Sequence, residues 1–158
     1  INIMLFEQPC GSDAWEANAA VARASNVPIM MDKSIYPMKD MCKTADLNGV
    51  EFVKLQLKKF SSMDMLLSDL SHIKAKGMMP VLGDGTSTDI QCWMEACVAR
   101  VAIDNAGENN SFCKFTQSVS EESLSFHIGN IVLPKGYRPS LDHKVIAAHL
   151  VRTLEFHT

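Results

Sequence analysis

The feature that most constrains this chain is a recurring pair: a short apolar run ending in an acid or polar group, then a helix-like stretch. Alternation of this kind predicts βα units wound around a parallel sheet. Residues 1–7 form the first run, ending at Glu7, and Asp13 with Glu16 three residues on is placed to cap an alanine-rich helix reaching about Ser25. Residues 28–32 form the second, ending at Asp32; Pro37 suits a first helical turn and Gly49 a helix stop. From Val50 to Leu57 the side chains alternate, with Val50, Phe52, Lys54 and Gln56 on one face and Val53, Leu55 and Leu57 on the other.

Ser62 is the expected cap of the next helix, with Met63, Leu66, Leu67, Leu70 and Ile73 as its apolar stripe and Gly77 as its terminator. A fourth strand follows from Met78 to Leu82. Ile90, Trp93, Met94, Cys97 and Val101 then stripe a helix ending near Gly107, and residues 111–115 read as a fifth strand. The pattern changes after that. Residues 124–127 and 131–133 flank Gly129-Asn130, a two-residue turn of hairpin type, and a last helix is expected from about Leu141 to Leu154. Residues 1–120 are thus read as βα units and 121–158 as a hairpin and helix extension. Periodicity suits either a doubly wound sheet or a piece of an eight-stranded barrel.

At 158 residues with 47% hydrophobic content the chain can bury a real core. Its net charge of -3 and scattered Lys and Arg residues provide no basic field, so no nucleic-acid partner is expected. No apolar run approaches the roughly 18 to 20 residues that span a bilayer, and no signal-like segment opens the chain; a cytoplasmic protein without a membrane partner is expected. The five cysteines never form a C-x-x-C pair and are expected to be reduced and mostly buried. The ten methionines fall mainly on apolar faces, as core filler. The sequence opens on Ile1 rather than Met, so it is expected not to begin where its gene does.

In a parallel barrel the carboxy ends of the strands form the active face, and Glu7, Asp32, Lys54 and Gln56 recur there. Two carboxylates on adjacent strands converge on a hard cation such as magnesium. The alternative is that each acid only starts the following helix, where its charge suits the dipole.

The strings Leu5-Phe6-Glu7-Gln8-Pro9 and Val27-Pro28-Ile29-Met30-Met31-Asp32-Lys33-Ser34, followed by a lysine-rich strand, resemble successive strands of the enolase superfamily, nearest its muconate-lactonising and mandelate-racemase branch. The stretch from Phe126 to Pro134 and Ser140-Leu141-Asp142 resemble the tail that leaves that barrel. The resemblance implies a partial (β/α)8 barrel, about strands four to eight, whose hairpin and helix would pack on a capping domain. It also implies that Glu7 and Asp32 are the second and third Mg2+ carboxylates. The implied chemistry is proton abstraction beside a substrate carboxylate, with magnesium stabilising the enediolate, as in a lyase, racemase or cycloisomerase. The first metal acid and a K-x-K pair would lie on strands preceding Ile1.

The resemblance is broken at the expected base. Gln56 stands there, 24 positions after Asp32 and upstream of Ser61-Ser62, which replace the usual Gly-Gly. An amide does not act as a base. Lys54, two residues earlier on the same face, is the other catalytic candidate, against a snorkelling or paired lysine. Lys33 replaces a common acid and receives no role. The turn Gly83-Asp84-Gly85-Thr86-Ser87 lacks the endings of a phosphate loop or dinucleotide site; by the resemblance it follows strand seven and lines the substrate pocket, which makes Asp84 the candidate substrate-binding residue. Glu108 reads equally well as a loop acid, and the five histidines, from His72 to His157, have no metal spacing. Two functions are therefore expected: a part of a magnesium-dependent enzyme acting on a small carboxylate and inactive alone, or a non-catalytic half-barrel serving binding or assembly. The second implies a homo-oligomer or a complementary N-terminal fragment as partner.

Overall fold

The computed structural model describes residues 2–36, 38–60, 62–83 and 85–155. The expectations placed on Ile1, Pro37, Ser61, Asp84 and His157 lie outside the described residues. Four strands, β1 (Phe6–Glu7), β2 (Ile29–Met31), β3 (Val50–Leu55) and β4 (Met79–Leu82), form a parallel sheet in the order β1-β2-β3-β4. Helices α1 (Trp15–Ala24), α2 (Met38–Ala45) and α3 (Met63–Ala75) alternate with them, and α4 (Asp89–Ala102) follows β4. Neighbours in sequence are neighbours in the sheet, as βα units require.

Both faces of the sheet carry buried side chains from β2, β3 and β4. Val53, Leu55 and Leu57 pack with Ile29 and Met31 against Leu66, Leu70 and Ile73 of α3. The opposite face carries Met30, Phe52 and Val81, with Leu5 against them. The alternation expected for β3 therefore holds from Phe52 onward, while Val50 joins the helix-side core. A register shift between Ile29 and Met30 accounts for this, because a one-residue slip exchanges faces. Ser62 caps α3 by accepting from the Met65 N–H at 3.2 Å. Gly49 has φ 88, and an added Cβ would sit 2.5 Å from the Ala22 carbonyl oxygen, so α1 and the turn into β3 touch backbone to backbone.

Several expectations are corrected. Residues 111–115 do not form a strand: Ser111–Cys113 is a 3-10 turn, and the Ser111 hydroxyl donates to the Gly85 carbonyl, which bends the segment back. The sheet continues instead through an isolated parallel bridge between Gly83 and Glu108. The hairpin is β5 (Phe126–His127) with β6 (Asn130–Ile131), so its turn is Ile128-Gly129, with φ 48 and 75. Two successive positive φ values are what a type I′ turn demands, and that demand sets the register. The last helix, α5 (His143–Ala148), is capped by Asp142 and is far shorter than expected; residues 150–155 are exposed coil.

Asp13 caps nothing, since α1 follows Ala14 without a side-chain cap. Buried Asn18 organises that loop instead, accepting from the Cys10 N–H and donating to the Gly11 and Ala14 carbonyls. On α4 the buried face passes through Asp89, Cys92, Glu95, Ala96 and Val98, whereas Val101 is 77% exposed. Polar groups hold that face because Glu95 accepts from the Leu57 N–H and Gln91, and Asp89 is bonded to a later segment. All five cysteines are free thiols, but only Cys92 is buried.

Candidate functional site

Glu7, Asp32, Lys54 and Gln56 meet at the carboxy ends of β1, β2 and β3, as strand parity predicts. The edge is drawn together by Gln8. Its backbone φ of 38 is unusual for a residue with a Cβ, and its side-chain oxygen accepts from the Asp32 N–H at 3.0 Å. Asp32 is thereby fixed beside Glu7.

Lys54 is the hub. Its ammonium lies 3.4 Å from both Glu7 carboxylate oxygens and 4.0 Å from Asp32 Oδ2, and it donates to Glu108 Oε2. Glu108 arrives through the bridge to Gly83. Burial alone would lower the Lys54 pKa, but the Glu108 hydrogen bond and the charges of Glu7, Glu108 and Asp32 outweigh it, leaving it above its ordinary value. Lys59, at the end of the 3-10 turn Leu57–Lys59, donates to the Asp32 backbone carbonyl at 2.7 Å and to Asp32 Oδ1 at 2.8 Å. Its pKa is lowered, chiefly by burial, which its bond to Asp32 offsets only in part. Gln56 Nε2 donates to the same Oδ1 at 3.1 Å.

Glu7 and Asp32 are oxygen donors of the kind magnesium takes. In this chain their oxygens already face ammonium groups, and among the described residues no three His, Cys, Asp or Glu side chains are arranged to hold an ion. As arranged, these residues do not fit a divalent cation.

Beside the cluster opens a depression of about 710 Å³, lined by Trp15, Asp32, Lys33, Tyr36, Gln56 and Lys58 among others. Lys33 and Lys58 are exposed and make no ion pair with described residues. Sequence reasoning missed Lys59 and treated Glu108 as a loop acid. The first is brought in by a 3-10 turn and the second by a single bridge, neither of which has a periodic signal. A second cavity of about 320 Å³, bounded by Phe112, Phe115 and Val145, lies over the start of α4. Its acid, Asp89, accepts from the hydroxyls of Ser118 and Ser120 and from the backbone N–H groups of Val119 and Ser120.

The sequence profile of the family described as "Enolase C-terminal domain-like" matches residues 1–138, and the chain belongs to that family. Its fold is that of the C-terminal barrel domain of muconate-lactonising-type enzymes. Similar solved structures include the muconate lactonizing enzyme from Pseudomonas putida (19% identity, TM-score 0.80, 92% of this chain and 42% of that one). Others are 2-chloromuconate cycloisomerase from Rhodococcus opacus 1CP (16%, 0.81, 92% and 41%), and a mandelate racemase/muconate lactonizing enzyme from Roseiflexus sp. (20%, 0.73, 85% and 39%). The chain thus spans about two fifths of the length of these relatives. Comparison with curated proteins gives no match. No helix among the described residues is long and apolar enough to cross a membrane.

Proposed function

We propose that this chain forms the carboxylate-bearing face of an enolase-superfamily barrel that binds a small carboxylate, and that its own residues do not abstract a substrate proton. The observation that carries this is Gln56. It stands where the family resemblance calls for a lysine base, and its amide is already donated to Asp32. Lys54, the other catalytic candidate, is held protonated by the acids around it and so is no base near neutrality. Lys33 and Lys58, exposed at the depression, are the groups that would attract the substrate's carboxylate. Superfamily members typically depend on Mg2+, but in this chain the Glu7 and Asp32 carboxylates are engaged by Lys54 and Lys59.

Muconate and mandelate, named in the relatives, are the first carboxylates to test. NMR of mandelate in deuterated buffer should show no loss of the α-proton signal, while titration should show binding that weakens in Lys58→Ala. Exchange of the α-proton by this chain alone would overturn the reading.

The assembly reading is favoured by a separate observation. β1 is an edge strand of only two paired residues, and Ile3 and Met4 before it and Phe6 within it are each about half exposed. Unpaired backbone and apolar side chains at an open edge invite a complementary strand. We infer that a second copy, or a segment supplying the barrel's other strands, covers this edge. Sedimentation showing a stable monomer at micromolar concentration would overturn that.

A further inference from the structure

We propose that Lys54 is a built-in counter-ion, its ammonium standing among Glu7, Asp32 and Glu108 in the place of a divalent cation, so that this face balances its charge without a metal. The inference rests on reading these strands as an enolase-type active face. Its test reads cation binding rather than ligand binding or proton exchange, so either reading can fail alone.

Three acids far apart in sequence converge on this one ammonium from different elements: Glu7 ends β1, Asp32 follows β2, and Glu108 comes through the bridge to Gly83. A lysine that merely snorkelled would send its ammonium to water; the Lys54 side chain is only 5% exposed. A second observation is independent of the charges. A Cβ added to Gly83 would lie 2.8 Å from Lys54 Cε and 3.3 Å from Glu108 Cβ. Glycine at position 83 therefore leaves the space that the lysine stem occupies.

Charge makes the alternative explicit. The three carboxylates face two ammonium groups, those of Lys54 and Lys59. A divalent ion added to this set would lie against the Lys54 ammonium and be repelled by it. With a neutral residue at position 54, the cluster would keep three acids against one ammonium, a balance that a divalent cation neutralises and that places oxygen donors from Glu7 and Asp32 around it.

The experiment is titration of the chain with Mn2+, read by the electron paramagnetic resonance of the free ion, in wild type, Lys54→Met and Gly83→Ala. Wild type should show no saturable site at millimolar Mn2+. Lys54→Met should bind at least about tenfold more tightly, and adding Glu7→Gln should abolish the gain. Gly83→Ala, which crowds the lysine stem without removing a charge, should give a smaller gain in the same direction. Saturable wild-type binding as tight as that of Lys54→Met would overturn the proposal, as would folded variants that gain nothing. Where neither variant folds, the lysine NH3+ resonances of the wild type decide: a Lys54 signal unmoved by millimolar Mg2+ supports the proposal, and its displacement overturns it.

Discussion

Asp32 and Asp89 are equally buried, each 5% exposed, yet the chain satisfies them in opposite ways. Asp32 faces charge, the Lys59 ammonium and the nearby Lys54 ammonium, together with the neutral Gln56 amide. Among the described residues Asp89 accepts from neutral donors alone, two serine hydroxyls and two backbone N–H groups, all from one short segment. Desolvating a carboxylate has a cost that either solution offsets. The first leaves a polar face that opens on a depression. The second fastens the segment after residue 117 onto α4 and leaves its charge nothing further to do.

The largest expected effect separates these two roles. Asp89→Ala strips acceptors from two backbone N–H groups and should cost about 3 kcal/mol in urea denaturation, with faster proteolysis confined to the segment it holds. A loss below about 1 kcal/mol would break the comparison. Asp32→Ala should cost less, about 2 kcal/mol, because Lys59 keeps the Asp32 backbone carbonyl as acceptor. Combining it with Lys59→Met should return part of that loss; a strictly additive double variant would show that the pair is not coupled.

Acid sharpens the contrast. Burial would raise the Asp89 pKa, but its four hydrogen bonds outweigh it and hold the carboxyl below its ordinary 3.8. A depressed carboxyl contributes stability that is complete above the ordinary value and is lost as pH falls through the folded one. Asp89→Asn should therefore flatten the acid limb of the stability curve. Lys54 works at the other end: its raised pKa contributes stability that is complete below 10.5 and is lost as pH rises through the folded value, a limb that Lys54→Met should lack. The smallest effect belongs to a site outside both clusters, Ser62→Ala, whose lost cap should cost about 1 kcal/mol with no change in either pH limb.

How much of this was legible depended on periodicity. The faces of β3 from Phe52 onward, the stripe of α3, its Ser62 cap and the strand-end positions of Glu7 and Asp32 all follow from spacing, and the structure places them so, whereas the bulge that moves Val50 to the other face leaves no mark in the spacing. Residues 111–115 are apolar enough to read as a strand, but one hydroxyl bond to Gly85 redirects them. The turn at Ile128-Gly129 is displaced by one residue from the expected pair because backbone sign, not residue type alone, chose it. The partners of the carboxylates were harder still. Lys59 and Glu108 reach the cluster through tertiary placement, so a linear reading finds Glu7, Asp32 and Lys54 and misses the second cation and the third acid.

Gln8 has a consequence for how this edge comes apart. β1 makes only two paired positions with β2, too short a ladder to hold a strand by itself, and the Gln8 side chain adds a bond from outside the ladder to the Asp32 N–H. The edge is closed by a clasp rather than a seam. Opening that clasp, together with the bonds the same side chain makes to Ser34, would leave Lys54 as the side chain still joining Glu7 to Asp32 while β2 to β4 stayed paired, so amide exchange at Asp32 should run ahead of exchange at Val53 and report the loosening of this edge before the sheet melts.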